Sequence, residues 1–80
     1  MPRYLVESYA TPRQAAEVEL ALRGLAEQGS VVRHVRSTFV PQDEICFHFV
    51  EAPSLQAVHD ALLQAAIAYD RIVEGIESVR

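Results

Sequence analysis

The chain has 80 residues, with 7 basic and 11 acidic side chains, a formal charge of −4, half of its residues apolar and 22% charged. That is the length of one domain and the composition of a folded one. The negative balance argues against sequence-independent nucleic-acid binding, the apolar runs are too short for a bilayer span, and Cys46, the single cysteine, excludes an internal disulfide or a Cys-only metal cage.

Arg3 to Tyr9 alternates loosely and is rich in Tyr, Leu and Val, which predicts a strand. Glu7 interrupts the stretch where a secretion signal needs an apolar run, so the expected compartment is the cytoplasm. Thr11-Pro12-Arg13-Gln14 reads as a helix start: Thr11 suits the N-cap, Pro12 the first helical position, and Gln14 completes a capping box. Ala15, Val18, Leu22, Leu25 and Ala26 then recur at helical spacing, Glu19 and Arg23 fall at i, i+4, and Gly29 stops the helix. The predicted helix covers residues 12–28.

Ser30 to Val40 is β-branched and aromatic, with charge or His on both parities, the pattern of an edge strand. Pro41-Gln42-Asp43-Glu44 is a turn, and Ile45 to Val50 is apolar on both parities, as a central strand should be. The two strands read as a hairpin. Pro53 or Ser54 opens a second helix over 54–67, with Leu55, Val58, Leu62 and Ala65 as its stripe, and Asp70 to Ile76 forms a last strand. The order β-α-β-β-α-β predicts a ferredoxin-like α+β fold, a four-stranded antiparallel sheet with two helices on one face. The other face then needs a cover, because Cys46, His48 and Val50 on one parity are as apolar as Ile45, Phe47 and Phe49 on the other. In so short a chain the expected cover is a second copy, a homodimer joined through Cys46, His48 or Val50.

Cys46 and His48 lie two apart on one strand and so share a face, and Glu7 lies on the strand predicted beside it. Thiol, imidazole and carboxylate on one face point to a ligand site or to a divalent transition metal, with a dimer axis as the route to a full coordination shell. The alternative is that Cys46 is a small buried apolar residue and His48 hydrogen-bonds to a neighbouring Ser, Tyr or carboxylate. Pairing through the turn sets residue 37 opposite 48, which by parity places His34 on the face away from His48 and on one side with Arg36. His59 reads as a helix-surface residue, and Asp43 and Glu44 as solvated turn acids. No Gly-rich phosphate loop and no nucleophile elbow are present.

The segments Val40 to Phe47 and Phe49 to Ser54, with Tyr4-Leu5-Val6-Glu7 and Asp70-Arg71-Ile72-Val73, resemble the small bacterial nickel-binding-protein-like family across nearly the whole chain. The absence of Lys, Asn and Trp agrees with a GC-rich bacterial source. The resemblance implies a ferredoxin-like dimer, for at least one member nickel binding, and for most members no established biochemistry. Many members carry a His in the second helix and a glycine pair after it; the matching positions here are Ala61 and Ala65-Ala66. Three functions follow as expectations: a ligand- or metal-binding module; by analogy of fold alone, a small oxygenase- or isomerase-like enzyme with a pocket near the sheet; and a purely structural dimerisation unit.

Overall fold

The computed structural model describes residues 1–76. Its elements run β1 (Arg3–Tyr9), α1 (Pro12–Gly24), β2 (Arg33–Val40), β3 (Ile45–Glu51), α2 (Leu55–Gln64) and β4 (Arg71–Gly75). The sheet order is β2-β3-β1-β4, with antiparallel neighbours throughout. This is the expected ferredoxin-like architecture, with β2 at an edge and β3 and β1 central.

Local chemistry sets the boundaries. Thr11 caps α1: its hydroxyl accepts from the Gln14 N–H, and the Gln14 side chain accepts from the Thr11 N–H. The helix is shorter than predicted, since a 3-10 turn over Ala26–Gln28 follows it before Gly29 turns the chain at φ 85°. Ser54 caps α2 through the Ala57 N–H. Its other end closes as a Schellman motif, with Ala66 N–H donating to Leu63 and Ile67 N–H to Leu62. Ala66 takes the left-handed position at φ 56°, where glycine would carry no Cβ penalty.

Both helices seal one face of the sheet. Tyr4, Val6 and Val50 from the strands meet Leu22 and Leu25 at the end of α1 and Val58 and Leu62 of α2 in one buried core. A smaller cluster of Ala10, Ala15 and Cys46, with Phe39 against it, lies under the start of α1. Leu55 and Ala65, expected in the α2 stripe, are exposed.

The register settles which parity faces where. Tyr4 pairs with Val50, Val6 with His48 and Ser8 with Cys46, and all six are buried. Cys46, His48 and Val50 therefore face the helices, and the expected dimer contact through them is corrected. The opposite face carries Leu5, Phe47, Phe49 and Val73, each partly exposed and none packed against either buried cluster. β3 is apolar on both parities, so its own pattern cannot orient it. The neighbouring strand can: in β1, Arg3 and Glu7 share a parity with Leu5, and the charged parity looks away from the helices.

Candidate functional site

The helix-facing side of β2 and β3 holds a line of polar groups. The Ser37 hydroxyl is 2.8 Å from Nε2 of His34 and 2.7 Å from Nδ1 of His48. Cys46 Sγ lies 3.9 Å from the same Nδ1. One hydroxyl proton serves two rings, so Ser37 donates to one imidazole and accepts an N–H from the other. The tautomers of the two histidines are thereby tied together.

This line corrects the expectation that His34 and His48 lie on opposite faces. Ser37 does pair with His48 and Arg36 with Phe49, as the turn predicts. Beyond Arg36 the ladder slips: His34 pairs with Val50, and Val35 is the surplus residue of a β-bulge. The slip reverses parity upstream, bringing His34 to the helix side. Arg36 stays on the open face, its guanidinium 4.2 Å above the Phe49 ring, so His34 and Arg36 do not share a side.

Burial and neighbours set the charge states. His48 is fully buried, and the loss of solvent, aided by nearby His34, lowers its pKa to about 4; Glu19 opposes weakly. Burial also lowers His34, and raises the Cys46 thiol. Near neutral pH the cluster is two neutral imidazoles, a hydroxyl and a protonated thiol. His48 Nε2 and Ser8 Oγ are buried with no hydrogen-bond partner.

α1 roofs the cluster. A cavity of about 170 Å³ lies between it and the edge of the sheet, lined among others by Pro12, Ala15, Glu19, Ser37, Phe39 and Cys46. Glu19 makes no ion pair among the described residues; on α1 the paired residues are Arg13 and Glu17. Its carboxylate instead acts electrostatically on His34, Cys46 and His48 together. Neither Ser37 nor Glu19 stands out in the sequence as a site residue, and the hairpin pairing of Ser37 with His48 was the available signal.

Glu7 does not join this group. It pairs with Phe47 on the opposite face and holds Arg71 at 3.0 Å. Of the expected set of Glu7, Cys46 and His48, only the last two converge. Among the described residues no three His, Cys, Asp or Glu side chains come together to hold a metal ion. His48 Nδ1 is committed to Ser37, and both His48 and Cys46 face the helices, not the open face. The donor set does not fit nickel. His59 lies on the α2 surface, as expected, with its ring edge-on to Tyr69.

The open face is bordered by ion pairs. Glu51 receives hydrogen bonds from Arg33 and Arg3, and Arg33 chiefly holds its carboxyl below the usual range. No described helix is long and apolar enough to cross a membrane.

No protein-family model matches the sequence, and no curated protein matches it. Among solved structures, the crystal structure of SCO4226 from Streptomyces coelicolor A3(2) is similar, with a TM-score of 0.65 and 21% identity over 96% of this chain and 99% of that one. At that identity the likeness carries the fold.

Proposed function

We propose that the chain is a homodimeric binding module of the bacterial cytoplasm that holds a small molecule beneath α1. The observation that carries this reading is the cavity lined by Cys46 and by Ser37, the hydroxyl that joins His34 to His48. Neutral, mutually hydrogen-bonded groups in a recess suit orienting a ligand. They suit oxygenase or isomerase chemistry poorly. Such chemistry needs a group that exchanges a proton near neutrality, whereas burial holds Cys46 as a thiol and His48 as a neutral ring. The dimer is supported by the open face, where Leu5, Phe47, Phe49 and Val73 form an apolar centre bordered by Arg3, Arg33, Glu51 and the Glu7–Arg71 pair. An aromatic centre with a polar rim is the usual anatomy of a protein interface.

Native mass spectrometry of freshly purified protein tests both parts. The expected result is a dimer carrying a small molecule, and an Ala16→Phe variant, which fills the cavity wall, that stays dimeric and loses it. A monomer at micromolar concentration would overturn the dimer. A bound molecule unaffected by Ala16→Phe would overturn the site.

A further inference from the structure

We infer that the cavity beneath α1 selects a small organic ammonium ion. The inference rests on the reading of that cavity as the binding site and adds the chemical class of its occupant. Three features of the lining lead there. Glu19 places a carboxylate on the wall with no ion pair of its own among the described residues, and no basic side chain lines the cavity. A negative charge facing a recess with apolar walls concentrates cations there and repels anions. Phe39 lines the opposite, sheet side, and an aromatic ring is the second group that recognises an ammonium ion. Ser37 supplies the third: its oxygen, already in the line between the two histidines, keeps a second lone pair for an incoming N–H.

The alternatives fit less well. A metal ion needs several convergent donors, and none of the described residues form such a group. A carboxylate or phosphate ligand would meet Glu19 with no compensating cation. A purely apolar ligand would strand the Glu19 carboxylate and the Ser37 hydroxyl in a drier site. At about 170 Å³ the space suits an ion of a few heavy atoms, or the ammonium end of a longer amine. Of the other grooves, one of about 590 Å³ between the helix ends has no ring in its lining, and one of about 340 Å³ beside α2 sets Tyr69 and Asp70 next to the cation of Arg71, with Asp70 already accepting from the Tyr9 N–H.

Amide NMR spectra of the full chain, titrated with propylammonium chloride, 1-propanol of the same heavy-atom count, and propionate, test the assignment. Propylammonium is expected to shift amides at residues 15–19 and 37–39, to bind at least about tenfold more tightly than 1-propanol, and to be weakened about tenfold or more by Glu19→Gln. Propionate is expected to leave those amides in place. Glu19 is partly exposed on a helix, so the isosteric change leaves the fold intact. If propylammonium and 1-propanol bind these residues equally, and Glu19→Gln changes neither, the ammonium class is overturned while the cavity reading stands. If no probe moves these amides, both fall.

Discussion

On the helix side of the sheet, Val6, Val50 and Ile72 meet α1 and α2, and the polar line among them runs from His34 through Ser37 to His48. On the other side, Leu5, Phe47, Phe49 and Val73 are just as apolar, yet their polar neighbours are arginines and glutamates paired across the strands. The two faces share strands and differ in the kind of polar group they admit. Within a core, a hydroxyl and two neutral rings can bond to one another without charge. Around an open apolar patch, charged pairs keep the free chain in solution and leave the centre available to a partner.

The largest expected effects separate the faces. Val50→Asp places a carboxylate in the closed core and is expected to cost more than about 4 kcal/mol, enough to abolish the cooperative thermal transition. Phe47→Asp, three residues along β3 and on the open face, is expected to keep native circular dichroism and to weaken the proposed self-association about a thousandfold, because a two-fold interface feels the change twice. Sedimentation equilibrium reads the second effect. Equal loss of structure in both variants would erase the distinction between core and interface.

The closed face also has the larger pH response. His48 has a folded pKa of about 4 against 6.5 for the free side chain, so the folded state favours the neutral ring. Its contribution is complete above about pH 6.5 and is lost as pH falls towards 4, in total about 3 kcal/mol. His34, lowered by the same cause, adds in the same direction. Urea unfolding between pH 4 and 7 should show this slope, and His48→Gln should remove most of it. A slope that survives His48→Gln would assign the response elsewhere.

The roof of the cavity depends on the start of α1. Thr11→Ala removes one half of the capping box and is expected to cost about 1 kcal/mol, measurable as a lower urea midpoint. Ala15 and Glu19 should show the accompanying rise in amide exchange, because they sit in the first turns over the cavity.

How much of this was legible in the sequence follows from which signals are local. The Thr11 cap, the Ser54 cap and the strand spans over Arg3–Tyr9 and Ile45–Glu51 are written in adjacent residues, and the fold follows from their order. The facing of β3 is not local: Ile45 to Val50 is apolar on both parities, and its orientation comes from Arg3 and Glu7 on the next strand. Glu7 therefore leaves the site that Cys46 and His48 keep. His34 is harder still, since the bulge that turns it inward leaves no mark in Val35, an ordinary strand residue. The site also needed Glu19, read from the sequence as half of a helix ion pair with Arg23.

The bulge sharpens the comparison at the smallest scale. Val35 is the residue without a partner in the β2–β3 ladder, standing between His34 opposite Val50 and Arg36 opposite Phe49. Deleting it removes no paired residue and leaves His34 adjacent to Arg36 in a regular alternation, with His34 still on the helix side and Arg36 still over Phe49. The expected cost is no more than about 1 kcal/mol, mostly the lost contacts of a partly buried side chain. The His48 titration, followed by NMR, should keep its low pKa, because Ser37 and His34 remain in line. Deleting Thr38 instead sets Ser37 opposite Phe47 and turns its hydroxyl away from His48, while the surplus residue is absorbed and His34 keeps its place opposite Val50. A chain that tolerates both deletions equally, with the His48 titration unchanged in each, would show that the surplus residue of the bulge does not set the parity of β2.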